Sequence, residues 1–202
     1  RLGASYRSKV KIKLRGNSLT GADGGSTQSS QWVKSDFTFP ETIIVSGYQD
    51  LNEQWALMSD VQWTHWSRYQ QLVLRFADKT QIAFPQYYKN NVRVAVGTAY
   101  QYDECWKFKL GVAFDKTPTR DALRRISVPD QNRTWGALGA QYRFTKNFAL
   151  DIGYAHLFFK KANINDTPPT AVNIVPAPAQ SLQGTSRTRV DLVGIQLTWD
   201  LV

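Results

Sequence analysis

Apolar and polar side chains alternate along much of this chain with the period of two that is typical of β-strands. One stretch carries large apolar side chains at every second position: Trp106, Phe108, Leu110, Val112 and Phe114. The intervening positions carry small or charged side chains: Lys107, Lys109, Gly111, Ala113 and Asp115. Such a strand has one face suited to lipid and one face suited to a polar interior.

Eight stretches with this alternation predict strands near residues 2–14, 40–49, 54–76, 91–102, 105–115, 133–144, 148–159 and 188–201. The connections between them are long and short in turn. Short turns are predicted at 50–53, 103–104 and 145–147, and long segments at 15–39, 77–90, 116–132 and 160–187. Tight turns on one rim and long loops on the other are typical of membrane barrels. The pattern therefore predicts one all-β domain over residues 1–202, a transmembrane antiparallel up-and-down β-barrel.

Composition agrees with a barrel that is apolar on one side only. Aromatic residues make up 13% of the chain, yet its mean hydropathy is −0.41. No apolar stretch reaches the length of about 18 residues that a membrane-spanning helix needs. A soluble β-sandwich could have the same composition, but it gives no reason for connections of alternating length. The aromatic residues predicted to form girdles near strand ends are Trp55, Trp63, Tyr102, Trp106, Tyr142, Phe144, Phe148 and Trp199.

The net charge of +9 comes from basic residues spread along the chain, which argues against a nucleic-acid surface. These basic residues could equally well bind lipopolysaccharide phosphates or line a polar lumen. The first predicted strand places a row of cations on one face, and we expect that row to need counter-ions within the barrel. The polar side chains predicted to face the lumen are Lys107, Lys109, Asp60, Asp115 and Asp151.

The residue types that support catalysis or metal binding are sparse. His65 and His156 are the two histidines, and both lie on apolar strand faces. A hydrolase would need a serine or equivalent nucleophile beside one of them, and no such pairing is indicated. The histidines and Cys105 do not have zinc-site spacing. We therefore expect no enzyme activity, no cofactor and no metal.

Several phrases of the sequence resemble one family. They are Arg1-Leu2-Gly3-Ala4-Ser5-Tyr6-Arg7-Ser8, Pro40-Glu41, Val45-Ser46-Gly47-Tyr48, Trp66-Ser67-Arg68-Tyr69-Gln70-Gln71-Leu72, Gly111-Val112-Ala113-Phe114-Asp115 and Ile126-Ser127-Val128-Pro129-Asp130-Gln131-Asn132-Arg133-Thr134-Trp135. In this order they resemble the C-terminal half of the long-chain fatty acid transporters of the bacterial outer membrane, the FadL type.

The resemblance implies a barrel of about 14 strands plugged by a small N-terminal hatch, of which this chain supplies the last eight strands. The hatch and the early strands would lie upstream. It also implies passive uptake of long-chain fatty acids or similar hydrophobic compounds, with exit through a lateral opening. The expected surroundings are outer-membrane lipid and lipopolysaccharide of a Gram-negative bacterium, and the expected state is a monomer.

The family's pocket uses basic side chains to hold a carboxylate, and this sequence departs from that pattern. The position that best matches one of these basic residues is Phe84, with Lys79 and Lys89 nearby but out of register. Arg93, on the inward row of the next strand, completes the candidate ligand-binding set. The departure leaves room for a neutral or aromatic substrate, since related transporters carry aromatic hydrocarbons.

An alternative is a small, self-closed eight-stranded barrel with a structural or adhesion role. Barrels of that size are filled by their own side chains. The inward rows, however, hold many small residues that would leave voids: Gly97, Ala99, Gly111, Ala113, Gly139, Gly153 and Ala155. The outward row that begins at Val193 reaches Leu201, and we expect a terminal outward-facing aromatic residue one position beyond the end of the chain.

Overall fold

The computed structural model describes residues 1–21, 28–166, 170–172 and 182–200. Within them the strands are β1 (Leu2–Arg7), β2 (Val10–Gly21), β3 (Gln28–Phe39), β4 (Thr42–Asp50), β5 (Trp55–Thr64), β6 (Gln71–Phe76), β7 (Gln81–Pro85), β8 (Asn91–Gln101), β9 (Trp106–Asp115), β10 (Arg133–Thr145), β11 (Phe148–Phe159), β12 (Ala162–Asp166), β13 (Thr170–Val172), β14 (Leu182–Ser186) and β15 (Arg189–Trp199). Short 3₁₀ turns lie at Trp66–Arg68 and Asp121–Leu123. In this part of the chain no helix is long and apolar enough to cross a membrane.

The main sheet contains eight antiparallel strands in the order β1-β4-β5-β8-β9-β10-β11-β15. Chain neighbours are sheet neighbours wherever a tight turn joins them, as in β4 with β5 and β8 with β9. The all-β, up-and-down prediction is confirmed. Among the described strands β1 and β15 are the two edges and do not pair with each other. The sheet is therefore open, and the self-closed eight-stranded alternative is wrong.

The two faces of the main sheet differ as the alternation predicted. On β9 the outward Leu110 and Val112 are 61% and 63% exposed, whereas the inward Ala113 and Asp115 are 7% and 5% exposed. Apolar side chains on the outward face continue across the sheet to Ile195 of β15. A broad apolar surface of this kind requires a lipid environment.

Aromatic side chains form a continuous band along the rim of the tight turns. Trp55 of β5 lies 4.6 Å from Tyr100 of β8, measured between ring centroids. Trp106 of β9 lies 4.7 Å from Tyr142 of β10, which lies 4.8 Å from Phe144. Amphipathic rings concentrate where a membrane meets water. The band therefore marks the level at which the barrel wall leaves the hydrocarbon.

Two predicted strands are interrupted, because the chain changes sheets within them. The stretch predicted at 2–14 breaks at residues 8–9, and β2 then pairs with β3 instead of continuing beside β4. The stretch predicted at 54–76 ends with β5 at Thr64, and β6 joins a second sheet of order β13-β7-β6-β3-β2. Part of each predicted long connection at 15–39, 77–90 and 160–187 is also strand, including the β12–β14 pair. Alternation continues through residues 8–9, so periodicity could not reveal the first change of partner. Past Thr64 the apolar positions shift from odd, as in Trp63, to even, as in Leu72 and Leu74, and the single strand predicted at 54–76 passed over this shift.

The predicted row of inward-facing cations on the first strand is wrong, because the chain changes sheets within that stretch. Lys11 and Lys13 leave the main sheet with β2, and Lys13 lies opposite Asp36 of β3. The inward aspartates take partners from other strands of the main sheet. The outward row predicted to end at Leu201 is seen as far as Trp199, because residues 201–202 lie outside the described residues.

Candidate functional site

The inner face carries a series of ion pairs between strands. Arg93 Nη1 of β8 lies 3.6 Å from Asp60 Oδ1 of β5. Lys109 Nζ of β9 lies 2.6 Å from Asp151 Oδ1 of β11, and Gln141 also donates to that carboxylate. Pairing of this kind neutralises charges that line a confined interior. The pairs arise because residues on the same face of nearby strands come within reach of one another.

A third pair closes the inner face near the long loops. Arg133 of β10 donates to Asp115 Oδ2 of β9 from Nη2 at 2.5 Å and from Nε at 2.9 Å. Its Nη1 also meets Asp130 Oδ1 at 3.0 Å. Asn91 of β8 donates to the other oxygen of Asp115 at 3.2 Å. Two donors of one guanidinium therefore converge on a single carboxylate oxygen, in charge-assisted hydrogen bonds that are stronger than neutral ones.

Between these pairs lies a concave space of about 570 Å³, which we call the inner recess. Much of its floor consists of small residues: Ala95, Gly97, Gly111, Ala113 and Ala137. A side chain at position 97 would crowd the neighbouring strand, because its Cβ would lie 3.1 Å from the backbone oxygen of Leu110. The small side chains therefore leave room for a ligand. The volume of the recess falls within the range of about 300–1,000 Å³ common to small-molecule sites.

Polar groups line the inner recess from several strands, and Arg1 beside β1 is among them. Arg93 and Asp60 lie on its lining, and Trp135 of β10 lies beside Arg93. The Arg93 guanidinium carbon is 5.5 Å from the centre of the Trp135 ring, a cation–π contact. Sequence analysis missed Trp135, although its place on an inward row was a readable signal.

The four candidate ligand-binding residues do not form one cluster. Phe84 lies on β7 of the second sheet, and Lys79 lies exposed in the β6–β7 turn with a φ of 68°. The exposed Lys89 follows that hairpin, and its backbone N–H donates to Pro118 O at 2.9 Å. Of the four, Arg93 is the residue that lines the inner recess. Lys107 is half-buried on β9, where its register partners are Gln101 and Gln141.

A basic side chain nonetheless reaches Phe84 from another loop. The guanidinium carbon of Arg125 lies 4.8 Å from the centre of the Phe84 ring. Arg125 Nε also lies 3.1 Å from Asp166 Oδ1 of β12. Sequence reasoning could not find this residue, because it lies in the connection between β9 and β10 where no periodic pattern places a side chain.

The long connections are fixed to one another by buried polar contacts. Arg124 is fully buried, and it donates to Asp130 O at 2.7 Å and to Asn163 O of β12 at 3.0 Å. Asp130 Oδ2 accepts from the hydroxyl of Thr117 at 2.5 Å. These contacts fix the connection between β9 and β10 and attach it to β12.

A second fixed point, which we call the rim clamp, joins Glu41 to His65 and Arg68. His65 Nδ1 lies 2.6 Å from Glu41 Oε1, and Arg68 Nε lies 2.5 Å from Glu41 Oε2. The Arg68 hydrogen bond is the main reason that the pKa of Glu41 falls to about 2. The rim clamp lies where β5 ends and the chain turns toward the second sheet.

The other histidine also pairs with a carboxylate. His156 Nδ1 lies 2.7 Å from Asp191 Oδ1, to which Tyr154 donates its hydroxyl at 2.6 Å. Among the residues that the structure describes, no group of three or more His, Cys, Asp or Glu side chains could hold a metal ion.

Comparisons with known proteins agree with this geometry. Residues 1–201 match the family described as outer membrane protein transport protein (OMPP1/FadL/TodX). The chain is 34% identical over 183 residues to the long-chain fatty acid transport protein of Escherichia coli K12, a match that covers 83% of this chain and 40% of that protein. It is 31% identical over 201 residues to outer membrane protein P1 of Haemophilus influenzae, covering 98% of this chain and 43% of that protein.

Solved structures give the same result for the fold. A Pseudomonas aeruginosa FadL homologue superposes with a TM-score of 0.87 at 25% identity, over 98% of this chain and 48% of that one. The Pseudomonas putida toluene transporter TodX superposes with a TM-score of 0.68 at 15% identity, over 98% and 45% of the two chains. This chain thus spans less than half the length of each of these relatives.

Proposed function

The chain belongs to the outer-membrane transport protein family OMPP1/FadL/TodX, and from that premise we propose that the whole protein takes up long-chain fatty acids or similar hydrophobic compounds. Uptake is passive, through the interior of a hatch-plugged barrel of about 14 strands with a lateral exit. The chain is part of a β-barrel of the bacterial outer membrane. The family is one of transport proteins, and we propose no enzyme activity and no cofactor for this member.

The inner recess is the observation that carries this proposal. It is lined mainly by small residues, and it lies on the side of the sheet that faces away from lipid. Burying an apolar chain there yields about 0.8 kcal/mol for each CH₂ group removed from water. The Arg93–Asp60 pair on the lining and the Lys109–Asp151 and Arg133–Asp115 pairs nearby offset part of the positive charge of the inner face.

The substrate class follows from the relatives and from the residues near Phe84. One relative is named for long-chain fatty acids and another for toluene. Arg125 beside Phe84 is already paired with Asp166, which leaves its charge less available to a carboxylate. This pairing is the reason that neutral aromatic hydrocarbons stay a second class of substrate. We propose fatty acids as the first substrates to test, with Phe84, Lys79, Lys89 and Arg93 as candidate contacts and aromatic hydrocarbons as the second class.

The proposed surroundings follow from the outer surface. The apolar outward face and its aromatic band fit outer-membrane lipid, and the exposed basic residues of the long connections fit the phosphates of lipopolysaccharide. We propose that the protein acts as a monomer within that membrane, with its apolar outward face against lipid.

Uptake of radiolabelled palmitate and of toluene by cells that express the full-length protein tests the proposal. Ala137→Glu places a charge in the inner recess and should abolish most uptake. Ala149→Glu is the matched control, because Ala149 lies on the inward row of β11 outside the lining of the recess. Unchanged uptake in Ala137→Glu, with the protein present in the membrane, would reject transport through this recess.

A further inference from the structure

Four exposed basic side chains lie together where β11 ends and β15 begins, and we call them the basic cluster: Lys160, Lys161, Arg187 and Arg189. The strand ladders bracket them, with Phe158 opposite Arg189 on one side and Ala162 opposite Ser186 on the other. Arg189 shares the outward face with the exposed Phe158, since directly paired residues point to the same face. Neighbouring strands lie about 5 Å apart, so side chains of the cluster can contact one anion together.

The acidic residues nearest to the basic cluster are already engaged. Residues 160–189 contain one acid, Asp166, whose carboxylate lies 3.1 Å from Arg125 Nε. Asp191, two residues beyond the cluster, lies 2.7 Å from His156 Nδ1. Within the described part of the chain, none of the four cations takes part in an ion pair. Like charges placed this close destabilise a sheet, so the cluster favours binding of an external anion.

The outward face has a different character at the same rim of other strands. The outward row of β9 leads to a single exposed cation, Lys116, whose backbone N–H donates to Val92 O at 3.2 Å. The outward row of β5 leads to His65, which pairs with Glu41. The concentration of cations at β11 and β15 therefore sets this part of the wall apart from those two places.

The length of β11 places the basic cluster at the second boundary of the membrane. Phe148 belongs to the aromatic band at the tight-turn rim, and Phe158 follows it by ten residues on the same strand. At about 3.3 Å per residue and a tilt of about 40°, these residues lie about 25 Å apart along the membrane normal, which is the height of the apolar band in such barrels. The cluster therefore begins where the hydrocarbon ends on the side of the long connections, which is the extracellular side.

The outward face next to the basic cluster is strongly apolar. Phe158 is 59% exposed and Val193 of β15 is 74% exposed. A molecule that matches both parts has phosphate groups at the cluster and acyl chains along the apolar wall. Resting on the outer-membrane function proposed above, we infer that the basic cluster binds the phosphates of a lipopolysaccharide molecule in the outer leaflet, with its acyl chains against β11 and β15.

Equilibrium binding of fluorescently labelled lipid A, the phosphorylated anchor of lipopolysaccharide, to the purified full-length protein in neutral detergent tests this inference. The double variants Arg187→Gln/Arg189→Gln and Lys160→Gln/Lys161→Gln each remove two charges of the cluster. Each should weaken lipid A binding about thirtyfold, which corresponds to about 2 kcal/mol. Dephosphorylated lipid A keeps the acyl chains and lacks the anion, so it should bind the wild type as weakly as lipid A binds the variants.

Lys9→Gln/Lys116→Gln is the matched control, because it removes two exposed cations that lie on separate strands at the same rim. Its lipid A affinity should stay within about twofold of the wild type. A loss in this control equal to that in the cluster variants would overturn the inference, since net charge alone would then explain binding. Equal wild-type affinity for dephosphorylated lipid A would overturn it as well. Displacement of lipid A by inorganic phosphate at the same concentration would overturn the assignment to a lipid, because the cluster would then bind a free anion.

Uptake of radiolabelled palmitate by cells that express the wild type separates this inference from the proposed function. Palmitate uptake together with no preference for phosphorylated lipid A would reject the lipopolysaccharide site and leave the transport function standing. Preference for phosphorylated lipid A without palmitate uptake would reject the transport function and leave the lipopolysaccharide site standing.

Discussion

The ion pair between Asp115 and Arg133 provides a direct measure of how strongly the inner face is held together. The substitution Arg133→Met leaves the Asp115 carboxylate with Asn91 as its remaining partner in the described structure. Breaking a buried pair from one side costs about 3–5 kcal/mol. Because the Arg133 side chain is 27% exposed, water can reach part of the vacated space. We therefore expect a loss of about 2–3 kcal/mol in unfolding free energy.

Unfolding of the full-length protein in lipid vesicles by guanidinium chloride, followed by tryptophan fluorescence, would measure this loss of unfolding free energy. A double-mutant cycle with Asp115→Leu should give a coupling energy of at least about 1.5 kcal/mol. Lys109→Met is the control, because the Lys109–Asp151 pair is more exposed and should contribute less than about 1 kcal/mol. A coupling energy below about 0.5 kcal/mol for Arg133 and Asp115 would refute the reasoning, since solvent would then screen the pair.

Three other expectations concern the rim clamp, the close approach of strands and the outer face. The pKa of Glu41 in the folded protein, about 2, lies below its usual 4.5. Its stabilising effect should therefore be complete above pH 4.5 and be lost as the pH falls toward 2, which the melting-temperature difference between wild type and Glu41→Gln would show. Gly97→Val should destabilise by about 1–3 kcal/mol, whereas Gly136→Val, whose Cβ would meet only the Phe158 ring at 3.8 Å, should be better tolerated in the same unfolding assay. Leu110→Arg places a charge on the lipid face and should cost about 2–4 kcal/mol in the same unfolding assay in vesicles.

The sequence predicted the architecture of the main sheet because its signals are local. Alternation identifies the faces of a strand from the strand itself, and connection length separates one rim from the other. The outward row from Trp106 to Phe114 was confirmed on these grounds. The aromatic band at the tight-turn rim was predictable for the same reason.

The choice of strand partner could not be predicted, because it depends on residues distant in sequence. Alternation runs through residues 8–9 without a break, and its shift of phase after Thr64 does not identify the next partner strand, yet the chain enters a different sheet at both places. The inner pairing of Asp60 with Arg93 depends on the same information, since it requires the register of β5 against β8. A one-residue slip would have placed these side chains on opposite faces.

The pairing of charges on the inner face depends on the same long-range information. Lys109 and Arg133 have close carboxylate partners on β11 and β9, so their donors are already engaged. Arg93 has a more distant partner in Asp60 and lies against the Trp135 ring. Each of these contacts needs the strand register to bring both side chains to the same face of the sheet. Alternation within a strand therefore predicts which side chains face inward, whereas the identity of their partners follows only from the pairing of the strands.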